Sequence, residues 1–248
     1  MLEYAIMSEI GSRNLNEDYV GAVEKNNSYC FVVCDGLGGH GMGDVASHFV
    51  TDVFIEQFNI CDSYDGFLSS AFSQAQERLI EHQKKNKVKN KMRTTAAAML
   101  VDDVLVYIGH VGDSRVYVFD GNGIKKRTVD HSVPQMLALS GEITEEEIRK
   151  HPDRNIILRA MGTDWESPMF ELLPSIYLAE CRAFLLCSDG FWEFINENEM
   201  FNSLNNSKTA DEWLRTMKSV VEKNGINKKM DNYSAIAVLI SKGSEVQQ

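Results

Sequence analysis

The run Phe31-Val-Val-Cys-Asp-Gly-Leu-Gly-Gly-His-Gly-Met-Gly43 ends an apolar stretch in one carboxylate, Asp35, and follows it with a glycine-rich loop. A β-forming run stopped by a lone acid and a flexible loop aims that acid out of a sheet edge. The pattern recurs in Ala183-Phe-Leu-Leu-Cys-Ser-Asp-Gly190, which ends in Asp189. Two carboxylates presented in this way can share a hard cation, whose preferred ligands are oxygens. Further acids stand where strands begin or end: Glu17-Asp18, Asp113 within His110-Val-Gly-Asp-Ser-Arg115, and Asp231 before the final strand. Taken singly, each is more often a turn former or helix cap than a ligand. Gathered at one edge they would repel one another and lose hydration. Mg²⁺ or Mn²⁺ offsets both costs, whereas metals that prefer histidine or thiolate are not favoured. Two such ions sharing a carboxylate can deprotonate a bridging water for in-line attack.

The elements that must position these acids are readable in outline. Strands are expected over Leu2–Ser8, Tyr19–Val23 and Ser28–Cys34, the last two forming a hairpin around Glu24-Lys-Asn-Asn27. Helical spacing runs from Gly43 to Phe58, and a second helix starts at Ser63 or Asp65 and continues past Leu79. It dissolves into the basic run Lys84-Lys-Asn-Lys-Val-Lys-Asn-Lys91, read first as a solvated helix end and second as a docking patch. Thr94–Val101, Val104–Val111, Arg115–Phe119 and Ile124–Val129 are strand candidates, the last pair joined by the hairpin turn Asp120-Gly-Asn-Gly123. Between Asp130 and Met161 the pattern changes to short helical pieces, with Thr144 and Glu147 spaced as a capping box. Met169–Leu173 and Ala183–Cys187 resume the strands; Phe191–Ile195, Glu197–Leu204 and Thr209–Glu222 read as helices, and Tyr233–Ile240 as a closing strand. Strands cluster and helices come in adjacent pairs, so simple βαβ alternation is absent and a doubly wound parallel sheet is disfavoured. The expected class is α+β: two antiparallel sheets with helix pairs outside them, in one domain over 1–241 followed by a polar tail, 242–248.

The 248 residues carry 25 basic and 36 acidic side chains, a formal net charge of −11, which disfavours a nonspecific nucleic-acid binder. No apolar segment is long enough to span a bilayer and the start lacks a signal-peptide pattern, so a cytoplasmic location is the expectation. The five cysteines, Cys30, Cys34, Cys61, Cys181 and Cys187, contain no Cys-x-x-Cys pair and read as reduced, mostly buried small hydrophobes. No G-x-G-x-x-G opens a helix, no Cys-x₅-Arg loop is present, and Ser188 does not stand between glycines as a hydrolase nucleophile would.

Eight ordered blocks together carry a resemblance: Gly11-Ser-Arg-Asn-Leu-Asn-Glu-Asp18, Cys34-Asp-Gly-Leu-Gly-Gly-His40, Gly43-Asp-Val-Ala-Ser47, Arg93-Thr-Thr95, Gly109-His-Val-Gly-Asp-Ser-Arg115, Thr128-Val-Asp-His-Ser132, Ser188-Asp-Gly190 and Asp231-Asn232. The chain resembles, from about Ala5 to Leu239, the metal-dependent serine/threonine protein phosphatases of the type 2C family in their compact bacterial form. That resemblance implies a four-layer α-β-β-α sandwich that hydrolyses phosphoserine and phosphothreonine in proteins by attack of a water bridging two Mn²⁺ or Mg²⁺ ions. It implies that Asp35 bridges both ions, that the Gly36 carbonyl completes one site, and that Asp189 and Asp231 hold the other. Glu17 and Asp18 match acids that hold waters around the ions, and Asp113, with Asp189, matches a weaker third site. Arg13 falls on a phosphate-binding arginine, whose fork suits two phosphoryl oxygens. His40 stands where a general acid could protonate the leaving oxygen, so the catalytic set is Arg13, Asp18, His40 and Asp113. Residues 133–160 correspond to a variable flap beside the active site. The usual family context adds a cognate serine/threonine kinase, with no nucleic-acid or membrane partner and a monomeric state expected.

Small departures include Leu37, where the animal enzymes carry histidine, and Asp44, Arg93 and Tyr233-Ser234. None removes an implied ligand. Two other readings compete: a phosphatase of small phosphate esters, and a phosphoprotein-binding module with little turnover. As an implied third-site ligand, Asp113 is expected to face water and Asp189; as a turn former it would satisfy nearby backbone N–H groups instead.

Overall fold

The computed structural model describes residues 2–38 and 41–240; His40 and the 242–248 tail lie outside them. Two antiparallel sheets form the centre. The first has the order β1-β11-β10-β6-β7, from Leu2–Glu9, Tyr233–Ile240, Ala183–Cys187, Arg115–Phe119 and Ile124–Arg127. The second has the order β2-β3-β4-β5-β8, from Asp18–Lys25, Ser28–Asp35, Ala96–Val101, Leu105–Val111 and Glu171–Leu172, with β9, Ile176–Tyr177, also paired to β5. Helices α1 (Gly43–Ile60) and α2 (Phe67–Asn86) lie on the second sheet, and α5 (Glu197–Asn205) and α6 (Ala210–Gly225) on the first. The short α3 (Val133–Ser140) and α4 (Asp189–Trp192) fall between these layers' elements in the chain.

Strand alternation produces three apolar layers from these four. In β3, Tyr29, Phe31 and Val33 point between the sheets, while Cys30, Val32 and Cys34 point toward α1 and α2. In β10, Phe184 and Leu186 enter the inter-sheet layer, and Ala183, Leu185 and Cys187 meet α5 and α6. Strands covered on both faces must be apolar throughout, which is why these runs read as continuous rather than alternating. Phe31 and Phe184 are fully buried, and each such side chain contributes about 1.5–3 kcal/mol relative to an exposed one. The buried thiols serve the same layers: burial pushes Cys34 up to about 12 and raises Cys30 and Cys187 as well.

Local differences from the sequence expectation have physical causes. The first hairpin turn is only Asn26-Asn27, both left-handed (φ 51° and 60°), so the strands extend to Lys25 and Ser28. Asparagine tolerates that region, and two left-handed residues match the twist of a tight hairpin. The strand expected over Met169–Leu173 shrinks to Glu171–Leu172, and Ile176–Tyr177 adds a second short pairing with β5. The helix expected from Phe191 starts at Asp189 and is one turn long. The capping box at Thr144 and Glu147 is present, and it opens a 3₁₀ turn, Glu145–Lys150.

Candidate metal centre

Strand ends bring the predicted acids together. Asp18 opens β2 directly opposite Asp35, the last residue of β3. The Asp35 backbone is pinned on both sides, its N–H donating to Thr95 Oγ1 (3.0 Å) and its carbonyl accepting from Thr94 Oγ1 (2.8 Å). Asp189 follows β10, and Ser188 beside it donates to Asp18 Oδ2 (2.7 Å) instead of capping its own helix. Asn232 ties the N-terminal loop to the start of β11: its side chain donates to the carbonyls of Ile10 and Leu15 (2.8 and 2.9 Å) and accepts from the Glu17 N–H (2.9 Å). Arg13 is thereby held against Asp231, to which it donates. Arg13, Glu17, Asp35, Asp189, Asp231 and Asn232 line a cleft of about 630 Å³, with Gly36, Leu37, Gly38, Arg93 and the flap residues Asn155, Ile156 and Ile157 on its walls, while Asp18 lies behind it.

Glycine is required where this loop passes Glu17. A Cβ at Gly36 would lie 2.3 Å from the Gly43 backbone and 2.6 Å from the Glu17 carbonyl, whereas one at Gly38 would displace the Glu17 carboxylate.

The electrostatics are those of uncompensated negative charge. Burial, reinforced by Asp189, Asp18, Asp113 and Asp231, pushes Asp35 well above the ordinary carboxylate range. Burial raises Asp18 to about 7 despite hydrogen bonds with Ser188 and Ser234. Burial and Asp231 raise Asp189 to about 6. Glu17 rises through burial and the charge of Asp44. Arg13 contributes a direct bond, and its own pKa rises through that hydrogen bond to Asp231. Asp18 Oδ1, Asp189 Oδ1 and both carboxylate oxygens of Asp113 are buried with no hydrogen-bond partner among the described residues. Such orphaned groups cost about 1–3 kcal/mol each, more when charged. An all-oxygen donor set with unused lone pairs fits a hard divalent cation.

Asp113 departs from expectation. It is buried rather than facing water, and the Trp192 indole N–H donates to its backbone carbonyl (2.9 Å). Burial, then Asp189 and Asp130, raise its carboxyl well above the usual range. His110, His131 and Glu171 form a second group of close donors. There Gly112 N–H donates to His131 Nδ1 (3.2 Å), which leaves the neutral ring's proton on Nε2, toward Glu171. Burial lowers His110 to about 4 and His131 to about 3, so both rings are neutral at pH 7.

The flap is tied to α4 and α5. Arg149 donates to the Trp192 carbonyl (3.0 Å) and to Glu197 (2.7 Å), and Arg154 to Glu193 (2.7 Å). Ser188, Thr94 and Thr95, which hold the acids, and Ile156-Ile157, which wall the cleft, were not singled out as site residues in the sequence. The blocks Arg93-Thr-Thr95 and Ser188-Asp-Gly190 were the available signal for the first three, and the apolar pair within a polar stretch for the last two.

The sequence profile described as Protein phosphatase 2C matches residues 7–233. The serine/threonine phosphatase stp of Listeria monocytogenes is 30% identical over 207 residues, 81% of each chain. The solved serine/threonine phosphatase Stp1 of Staphylococcus aureus superposes with a TM-score of 0.89 at 32% identity, covering 98% of this chain and 96% of that one. The catalytic domain of the serine/threonine protein phosphatase PstP, solved in complex with two manganese ions, superposes with a TM-score of 0.79 at 24% identity, covering 97% of this chain and 99% of that one.

Proposed function

Since this chain belongs to the protein phosphatase 2C family, we propose that Asp35, Asp189 and Asp231, with the Gly36 carbonyl, are the metal ligands of its active site. The enzyme is a metal-dependent protein serine/threonine phosphatase that uses Mn²⁺ or Mg²⁺. When bound, the ions supply an activated water for in-line attack on phosphorus.

The chain's own residues do the rest. Asp35, its backbone held by Thr94 and Thr95, and Asp18, its carboxylate held by Ser188, are fixed opposite one another across β2 and β3. Glu17 and Asp18 orient waters at the cleft floor. Arg13 exchanges its exposed contact with Asp231 for two phosphoryl oxygens of the substrate. Asp113 completes a further, weaker cation site with Asp189. His40 is the proposed donor of the proton to the leaving serine or threonine oxygen. Residues 1–241 act as one catalytic domain, with 133–160 as its flap. No helix of the described residues is long and apolar enough to cross a membrane. A cytoplasmic monomer working against a cognate kinase is the proposed setting.

The mutually repelling carboxylates of Asp18, Asp35, Asp113, Asp189 and Asp231, gathered from strand ends of both sheets and with buried oxygens of Asp18, Asp113 and Asp189 left unpaired, are the observation that carries this assignment. Purified protein should release phosphate from phosphothreonine peptides with Mn²⁺ or Mg²⁺ and stop on adding EDTA. Full turnover after rigorous chelation would overturn the metal assignment.

A further inference from the structure

The basic run at and after the end of α2 is a strongly charged feature that the catalytic reading leaves unused. Lys84, Lys85, Lys87, Lys89 and Lys91 are all exposed, in a chain whose net charge is −11. Lys84 and Lys85 stand in the last turn of α2, where cations suit the helix dipole. That accounts for two of them and not for Lys87, Lys89 and Lys91, which follow the helix. Lys89 pairs with Asp164 (3.1 Å), both side chains about two-thirds exposed; the other four form no ion pair among the described residues.

The loop carrying them is held in place. Gln83, buried in α2, donates to the carbonyls of Met92 and Gly162 (both 2.8 Å) and accepts from Asn90 N–H (2.8 Å). Lys87 and Asn90 take left-handed conformations (φ 56° and 64°) that fold the segment onto this anchor. The loop then runs through Arg93, which lines the catalytic cleft, to Thr94, which bridges Gly36 and Met161. At no more than about 3.6 Å per residue, the Cα of Lys91 lies within about 7 Å of that of Arg93, and the Cα of Lys87 within about 22 Å.

Resting on the phosphatase reading, we infer that this loop is a docking surface for acidic segments flanking the phosphorylated residue of protein substrates. A chain this acidic repels such segments over most of its surface, and the lysines reverse the local sign beside the cleft mouth. Complementary charge of this kind raises encounter rate and apparent affinity and is screened by salt.

The test compares the wild type with the Lys87→Glu/Lys89→Glu/Lys91→Glu variant, on exposed positions outside the catalytic machinery. Substrates are a phosphothreonine peptide with an Asp/Glu tract, the same peptide with that tract replaced by serine, and p-nitrophenyl phosphate. In low salt the wild type should show a KM about tenfold lower for the acidic peptide than for the neutral one, shrinking toward equality in 0.5 M NaCl. In the variant the preference should vanish or invert, with turnover of p-nitrophenyl phosphate and the melting temperature unchanged. Equal KM for the acidic peptide in both proteins, with p-nitrophenyl phosphate turnover intact, would overturn the inference and leave the phosphatase reading standing. Fluorescence anisotropy with the labelled acidic peptide in EDTA reads the surface without turnover, so an inactive preparation still decides it. Unchanged peptide binding alongside variant-sensitive binding to RNA or phosphatidylserine vesicles would also overturn it.

Discussion

Two buried charge clusters lie two residues apart in this molecule and are built on opposite principles. Arg115, 1% exposed, has its guanidinium filled: two bonds to Asp130 (2.8 and 2.6 Å), one to the Tyr117 hydroxyl (2.9 Å), and the Trp192 ring 3.5 Å from its centre. Asp113, equally buried, has neither carboxylate oxygen paired and faces the charge of Asp189. A satisfied buried pair specifies structure, whereas an unsatisfied one costs folding energy and persists where a ligand will supply the missing charge. The difference separates scaffold from site within the single segment Gly112-Asp-Ser-Arg115. Asp18 and Asp189, each with a buried oxygen left unpaired, fall on the unsatisfied side.

The largest effect expected from breaking this contrast is on Asp35. Asp35→Asn removes the proposed bridging charge, and losing several kcal/mol of transition-state stabilisation corresponds to a fall in turnover of about a thousandfold. The same variant should melt higher than the wild type in EDTA, because it removes a repelled carboxylate. A lowered melting temperature in EDTA, with turnover within tenfold of wild type, would place Asp35 with the scaffold.

The paired cluster should respond in the opposite sense. Arg115→Met leaves buried Asp130 with only the longer contact to Arg127 (3.6 Å) and should cost about 3–5 kcal/mol, lowering the melting temperature by about 10 °C. Adding Asp130→Leu should recover most of the loss, since a removed pair costs less than a broken one. Activity per folded molecule should change far less than in Asp35→Asn, as a phosphopeptide assay normalised to folded protein will report.

How much of this was legible in the sequence follows from which forces are local. The ends of β3 and β10 at Asp35 and Asp189 could be read because an apolar run stopped by an acid is a local pattern. The blocks around Arg13, Asp113 and Asp231 carried the family resemblance. The burial of Asp113 could not be read, because its surroundings come from distant chain, with Trp192 bonding its backbone from 79 positions away. Nor could the use of Ser188 Oγ, which looks like a helix cap and instead serves Asp18, 170 positions distant. Strands β8 and β9, two residues each, exist only because the edge of β5 accepts them. The contrast between orphaned and satisfied charge is a property of packing, whereas residue type alone marks both Asp113 and Asp130 as ordinary turn acids.

Asp113→Asn sharpens the comparison at its boundary. Both oxygens lack partners, so the amide should cost the metal-free protein little stability, while turnover falls by about 10–100-fold, as for other groups that support a metal site. A calorimetric Mn²⁺ titration should still show the tight sites and lose the weaker one. The metal-free wild type also carries a pH signature. Asp18 and Asp189 have folded values of about 7 and about 6, above their unfolded ones. Their protonated forms therefore favour folding at low pH, and that contribution is lost as pH rises through 6–7. Melts in EDTA should show higher stability at pH 5 than at pH 8, and Asp113→Asn should flatten the difference.

The smallest expected effect belongs to Arg13, which is bonded to Asp231 of the acidic cluster. Its side chain is 55% exposed and that of Asp231 32% exposed, and exposed pairs contribute about 0–1 kcal/mol. Arg13→Ala should therefore leave the melting temperature within about 2 °C, unlike Arg115→Met. The substrate feels the change more, because hydrogen bonds to charged groups are worth about 1.5–3 kcal/mol where the alternative is a lost contact. KM for a phosphopeptide should rise about tenfold, with Mn²⁺ affinity unchanged or slightly raised as the cluster loses its competing cation. Arg13→Lys should recover the charge but not the fork, and so only part of the affinity. An unchanged KM together with weakened Mn²⁺ binding would mean that Arg13 serves Asp231, as Arg115 serves Asp130, and would move it from the site to the scaffold.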